Sequence, residues 1–180
     1  MSIMVATGRA ATGGVLFRDA AAIEGLRTVK VLIVDKTGTL TEGRPAFERV
    51  IPAKGFTENI LLTLAASIDQ NSEHPLARAI ATEAMRRGWR LLKTSEFESA
   101  TGIGVRGVVD GKKISIGNTA MMEQEGVRWQ ELKEDAENLR RQGASVMFVA
   151  ADKTLGGLVA VSDPVKESTA EAIEQLRRSG

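Results

Sequence analysis

The chain has no cysteine and no tyrosine, only one histidine, and aromatic residues make up 4% of it. Without cysteine it can build no disulfide framework, no thiolate metal site and no cysteine nucleophile. It also lacks an excess of either charge, with 24 Lys+Arg against 23 Asp+Glu and a formal net charge of +1. No global field therefore draws it to nucleic acid or to an anionic membrane, and a polyanion has to be held by a local site. Long hydrophobic runs are missing too: stretches such as Val31 to Val34 fall far short of the roughly 20 residues that cross a bilayer. The first residues carry no apolar core of a signal peptide. What is present is 180 residues with 43% hydrophobic and 26% charged side chains, which fills one large domain or two small ones with a sizeable core.

Residues 29–34 are aliphatic and β-branched and run into Asp35-Lys36-Thr37-Gly38-Thr39-Leu40-Thr41. This reads as a fully buried strand followed by a polar loop. The Ala-rich stretch Arg18 to Arg27, with Ile23 and Leu26 three apart, predicts a short helix packed on that strand. Gly43-Arg44-Pro45 breaks the pattern. Ile60, Leu61, Leu64, Ala65 and Ile68 then recur at helical spacing behind Thr57 as N-cap, and the helix stops near Asp69-Gln70-Asn71-Ser72. A second helix starts at Pro75, whose fixed φ and missing N–H are harmless in a first turn. That leaves His74 at the N-cap, with Leu76, Ala79, Ile80 and Ala84 as the apolar face and Gly88 as the end.

After Trp89 the hydrophobic period moves towards 2, and residues 105–109 face 112–116 across Asp110-Gly111, the chemistry of a type I′ hairpin. Gly117-Asn118-Thr119 caps a short helix through Met122, and Trp129 to Arg141 reads as a charged amphipathic helix ended by Gly143. Strands over residues 145–150 and 155–161 and a helix from about Lys166 to Arg178 complete the pattern. A strand and loop at the start, a helix-then-sheet middle and a β-to-α step at the end predict an α/β outer domain interrupted by an insert. The expected segments are 1–42, 43–162 and 163–180, with the outer domain left unfinished at Ser179-Gly180.

Asp35 stands where a buried strand delivers its carboxyl-terminal end to solvent, the usual ligand position in an open α/β sheet. Backbone N–H groups, hydroxyls and the ammonium of Lys36 around it can hold a phosphate, and Asp can act as a nucleophile that forms an acyl phosphate. A bare Asp-x-Thr-Gly equally fits a strand-end Asp in a capped turn. His74 at an N-cap fits a structural role as well as a ligand contact, and Gly102-Ile103-Gly104 fits a strand-entry turn as well as a close backbone approach to a ligand. Met4, Met85, Met121, Met122 and Met147 follow no chelating spacing and read as core filler, so no transported-metal ligand is assigned. Residues 131–141 read as a solvated helix face, and the chain has no Gly-x-x-x-x-Gly-Lys-Ser/Thr loop.

Taken whole, Asp35-Lys36-Thr37-Gly38-Thr39-Leu40-Thr41 resembles the phosphorylation signature of the P-type ATPases, ion pumps that pass through an aspartyl phosphate. The resemblance implies Asp35 as nucleophile, Lys36 and Thr39 around the phosphate, and Mg²⁺ held through Asp35 and the Thr37 carbonyl. Ser72-Glu73-His74-Pro75-Leu76 resembles the His-Pro element of the heavy-metal-transporting subgroup. Thr101-Gly102-Ile103-Gly104-Val105 resembles its Gly-x-Gly loop, and Gly117-Asn118 its Gly-Asn element. Together they imply an ATP site at Asp69, Glu73, His74, Gly102, Gly104 and Asn118, where an imidazole at a helix N-terminus can stack on or hydrogen-bond the adenine. Asp69 stands where this family usually has Glu, which keeps the carboxylate and shortens its reach.

Asp163-Pro164-Val165-Lys166 resembles the family's hinge. Residues 2–9 and 14–18 look most like the copper or silver branch just after its Cys-Pro-Cys membrane helix. The implied fold is a haloacid-dehalogenase-like, Rossmann-like phosphorylation domain, incomplete, with an inserted α+β nucleotide-binding domain on an antiparallel sheet. The implied role is the ATP-binding and phosphorylation portion of a heavy-metal exporter, copper above all, in the cytoplasmic part of a membrane protein. Its partners are ATP, Mg²⁺ and the rest of the same pump, with no nucleic acid. The family's Thr-Gly-Asp segment, phosphate-binding Lys and Gly-Asp-Gly-x-Asn-Asp loop are expected beyond Gly180, so the chain alone should bind ATP without turnover. A haloacid-dehalogenase-like phosphatase with a cap insert and a non-catalytic nucleotide-binding module are the alternatives.

Overall fold

The computed structural model describes residues 3–26 and 28–178. Met1, Ser2, Arg27, Ser179 and Gly180, some of which belong to the motifs and segment ends above, lie outside the described residues. The chain divides into two compact units, residues up to 35 with those from 168 onward, and residues 36–167.

In the first unit, helices α1 (Ile3–Thr12) and α2 (Ala20–Leu26) bury no residue. Residues 29–35 form no strand, and Val31 and Ile33 are 79% and 92% exposed. This corrects the expectation of a fully buried strand with a helix packed on it. A β-strand exists only through hydrogen bonds to a neighbour, and among the described residues nothing pairs with this stretch. The aliphatic pattern remains, but the tertiary context that would bury it is not formed. The closing helix, α7 (Glu167–Arg178), begins one residue after the expected Lys166.

The second unit is built on six antiparallel strands: β1 (Ala46–Pro52), β2 (Thr94–Ala100), β3 (Gly104–Val109), β4 (Lys112–Gly117), β5 (Ser145–Ala151) and β6 (Thr154–Ser162), in the order β1-β6-β5-β4-β3-β2. The antiparallel α+β architecture expected from the sequence is present. Helices α3 (Glu58–Asp69) and α4 (Pro75–Arg86) cover one face, where Leu61, Ile68 and Ile80 pack on Val109, Ile116, Val149 and Val159. Helices α5 (Thr119–Gln124) and α6 (Lys133–Arg141) cover the other, where Met121, Met122 and Leu139 pack on Phe148, Leu158 and Ala160. Because successive strand side chains point to opposite faces, β5 and β6 feed both cores and are apolar between Ser145, Thr154 and Ser162 at their ends.

Local chemistry sets the ends of these elements. Thr57 Oγ1 accepts from the Ile60 N–H at 3.3 Å and starts α3. Asp110 and Gly111 both have positive φ, 50° and 76°, as a type I′ turn requires, and they join β3 to β4 with Val109 opposite Lys112. The edge strands β1 and β2 escape a period-2 reading because each is bulged, between Phe47 and Arg49 and between Ser95 and Glu98. A bulge puts an extra residue on one strand and breaks the alternation. The expected helix from Trp129 begins as a short 3₁₀ turn, Gln130–Leu132, before α6.

Phe148 is fully buried between α6 and the sheet, whereas Ile33 is almost fully exposed. Phe148→Ala is expected to cost about 3–5 kcal/mol in urea unfolding, against less than about 0.5 kcal/mol for Ile33→Thr. A comparable loss at Ile33 would show that residues 29–34 are packed in solution.

Candidate functional site

Helix α4 opens with Pro75 at its first position and His74 as N-cap, and His74 Nδ1 accepts from the Leu76 N–H at 3.2 Å. With Nδ1 used as acceptor, the neutral ring carries its proton on Nε2. The ring is thus oriented by its own helix and still exposed, with one donor to offer a ligand. The His74 N–H in turn reaches Ser72 Oγ at 3.3 Å, which fixes the short link between α3 and α4.

Across from this helix end lie the Thr101–Gly104 turn and the end of β4. The two glycines of Gly-x-Gly are required for different reasons. A Cβ on Gly104 (φ +152°) would sit 2.0 Å from the Ile116 carbonyl oxygen, and one on the facing Gly117 would sit 2.1 Å from that of Ile103. Gly102 (φ +77°) has open space where its Cβ would be, so its requirement is the left-handed turn. Asn118 binds the two parts together: its Nδ2 donates to the Gly102 carbonyl at 3.0 Å, and its Oδ1 accepts from the Ala120 and Met121 N–H groups at 3.0 and 3.2 Å.

Asp69, His74, Gly102, Gly104 and Asn118 together line one cavity of about 450 Å³, with Leu76, Ile116 and Val146 as apolar wall. That is the size and mixture of a small-molecule site. Glu73 is exposed beside His74 and does not line the cavity. Asp69, the last residue of α3, is 5% exposed. Its Oδ2 is buried without a hydrogen-bond partner, and burial pushes its carboxyl up to about 7. A carboxylate without partners or water is costly, so the neutral acid is favoured.

A second cluster gathers around the loop after Asp35. Thr37 is extended and Gly38 left-handed (φ 76°), so Lys36–Leu40 is a kinked turn and not a regular helix. Asp163 holds it from the other side. Its carboxylate accepts from the Thr41 hydroxyl, from the Gly43 N–H at 3.2 Å and from the Arg44 N–H at 3.1 Å. Lys166 Nζ donates to the Gly38 carbonyl at 2.7 Å, and the Glu42 N–H donates to the Pro164 carbonyl at 2.8 Å. Thr41 is 1% exposed and was read from sequence only as the last letter of the heptad. The signal that could have found it is a hydroxyl residue two positions before Gly-x-Pro, facing an Asp-Pro on the returning chain.

Lys36 and Thr37 line a cavity of about 370 Å³ with Gly143, Ser145 and Asp163, and Leu76 lines both this cavity and the one at Asp69 and His74. Thr39 and Asp35 are exposed. Among the described residues no three His, Asp or Glu side chains are grouped to hold a metal ion, and no helix is long and apolar enough to cross a membrane.

Two outcomes follow from these groups. Asp163→Ala leaves the Gly43 and Arg44 N–H groups without their acceptor and the Thr41 hydroxyl with only the Lys36 carbonyl, and is expected to cost about 2–3 kcal/mol, with faster amide exchange at Gly43 and Arg44. A raised carboxyl binds its proton more tightly in the folded chain. Its stabilising contribution is complete below the unfolded value of 3.8 and is lost as pH rises through about 7. Asp69→Asn should therefore gain on the parent chain by about 1 kcal/mol or more between pH 5 and pH 8, read from urea unfolding at the two pH values.

A family model for haloacid dehalogenase-like hydrolases matches residues 29–180. The chain is 48% identical over its whole length to a copper-transporting P-type ATPase of Rhizobium leguminosarum bv. viciae and 41% identical to a silver exporting P-type ATPase of Salmonella typhimurium. It covers 21% and 22% of those two proteins, so it spans about a fifth of their length. Among solved structures, a zinc-transporting PIB-type ATPase in its E2.Pi state matches 99% of this chain and 29% of its own, at 31% identity and a TM-score of 0.82. With a family match that runs over most of its length, the chain belongs to the haloacid dehalogenase-like hydrolases.

Proposed function

We propose that this chain is the ATP-binding and phosphorylation portion of a heavy-metal-exporting P-type ATPase that carries Cu⁺. The observation that carries the reading is the shared wall at Leu76, which joins the cavity of Asp69, His74, Gly102, Gly104 and Asn118 to the one lined by Lys36 and Thr37. A nucleoside triphosphate is a long ligand with an aromatic base at one end and phosphates at the other. The first cavity offers an imidazole, a carboxyl and glycine backbone to a base. The second offers an ammonium and backbone groups to phosphates, directly after Asp35 in the chain. In this reading residues 43–162 are the nucleotide-binding domain, 1–42 and 163–180 belong to the phosphorylation domain, and Asp163-Pro164 is the hinge. The copper and silver exporters among the relatives support the assignment of the cargo.

Chemically, an Asp35 carboxylate oxygen attacks the γ-phosphorus of ATP. The new O–P bond forms as the bond to the β,γ-bridging oxygen breaks, and ADP leaves with that electron pair. Lys36 and Thr39 face the negative charge of the transferring group. The Asp35 carboxylate and the Thr37 carbonyl are hard oxygen donors of the kind Mg²⁺ accepts, and one or two protein ligands suffice where substrate phosphates and water supply the rest. Mg²⁺ bound there would neutralise developing phosphate charge. The membrane helices, the actuator domain and the remainder of the phosphorylation domain are the partners through which the phosphorylation cycle drives export, and they place this chain on the cytoplasmic side of a membrane protein.

Calorimetric titration of the 180-residue chain with ATP, GTP and the His74→Gln variant tests the reading. The expected outcome is saturable ATP binding, weaker for GTP and at least about tenfold weaker for the variant, equivalent to about 1.4 kcal/mol. ATP is expected to remain unhydrolysed by the chain alone. Absence of binding by the folded chain would overturn the nucleotide site and direct attention to small phosphomonoesters as substrates.

A further inference from the structure

The cavity wall holds a group that the nucleotide reading uses but does not explain. Asp69 lies at the end of α3 with no hydrogen-bond partner for its buried Oδ2 among the described residues. Buried polar atoms are ordinarily satisfied, and this one belongs to a side chain that lines a ligand-sized cavity. Among the described residues the surroundings supply no counter-charge. Helix α3 packs on α4 and on β3, β1, β4, β2 and β6. On α4, Glu83 and Arg86 pair with one another, the following Arg87 pairs with Glu83 and Glu58, and Arg78 is exposed. Arg106 of β3 pairs with Glu98 of β2 and with Glu125, while Glu48, Arg49, Glu96, Lys112 and Lys113 are exposed and β6 carries no charge. Among the described residues His74 is the one other titratable group that lines Asp69's cavity.

We propose that Asp69 reads the nucleobase as the neutral acid, so that preference for adenine over guanine depends on a proton held by its carboxyl. This rests on the nucleotide reading above. The amino edge of adenine places an N–H donor beside a ring-nitrogen acceptor. A neutral carboxyl matches it with a C=O acceptor and an O–H donor. An ionised carboxylate offers acceptors only, so one oxygen faces the lone pair of the ring nitrogen with no donor between them. Guanine offers two adjacent N–H donors, at N1 and N2, and these suit the ionised carboxylate. Ionisation therefore weakens adenine and strengthens guanine at the same position. With the carboxyl titrating at about 7, the switch falls where small changes of pH act on it.

The test is the ratio of ATP to GTP affinity, measured by calorimetry on the 180-residue chain at pH 6 and pH 8. Both ligands carry the same triphosphate, so its own titration cancels in the ratio. The ratio is expected to fall about tenfold or more, as the neutral form goes from about nine-tenths to about one-tenth of the carboxyl. Asp69→Asn, a neutral isostere, should hold the ratio constant over the same range, and His74→Gln should keep the fall. A ratio in the parent chain that does not change with pH overturns the proposal, with or without the variants, and so does an equal fall in Asp69→Asn. If neither nucleotide binds at either pH, it is the nucleotide reading itself that fails.

Discussion

One carboxylate joins the two ends of the antiparallel sandwich. The chain enters it through Gly43 and Arg44 and leaves through Ser162 and Asp163, and the first and last strands pair with Ala46 opposite Ser162. Two segments so far apart in sequence meet at a place where backbone N–H groups would otherwise lack partners. Asp163 accepts from Gly43, Arg44 and the buried Thr41 hydroxyl, so a single side chain closes a loop of more than a hundred residues with charge-assisted hydrogen bonds. The kinked turn at Lys36–Leu40 is held by the same contacts, with Thr41 Oγ1 accepting from the Gly38 N–H at 3.1 Å. The Lys36 and Thr37 cavity inherits its shape from that clamp.

The cavity at Asp69 has a different origin. It lies where two pieces of backbone have been brought too close for side chains, Gly104 against Gly117, and where a helix start and a helix end meet across a short link. Each wall is stabilised locally: His74 caps its own helix, Asn118 caps α5 and anchors Gly102, and Ser72 supports His74. What these local devices leave over is the Asp69 carboxyl, buried by the packing of α3 and given no partner. A stable core that retains one unsatisfied acid is spending stability at a ligand-sized hollow, which is the pattern expected where binding and folding compete.

Much of this was legible before any coordinates. Local rules placed the caps at Thr57, His74 and Asn118, the Asp110-Gly111 turn, the helix ends at Gly88 and Gly143 and the strand stretches of β5 and β6, because each depends on neighbours a few residues away. The bulged edge strands β1 and β2 were not legible, since their irregularity erases the alternation by which strands are recognised. The stretch at residues 29–34 failed in the opposite sense. Its composition is that of a buried strand, yet composition supplies only the side chains of a strand and not the neighbour that makes it one.

The amino-acid sequence by itself determined most of the helices of the second unit, their caps, the Asp110-Gly111 hairpin and the glycine turn at Gly102. Those properties rest on backbone sterics and on hydrogen bonds within a few residues. Only the tertiary structure decided that Asp69 is buried and unpartnered, that Thr41 belongs with Asp163, and that Leu76 is shared by two cavities. Burial and long-range pairing depend on how whole elements pack, and no local rule can assign a group's solvent or its distant partner.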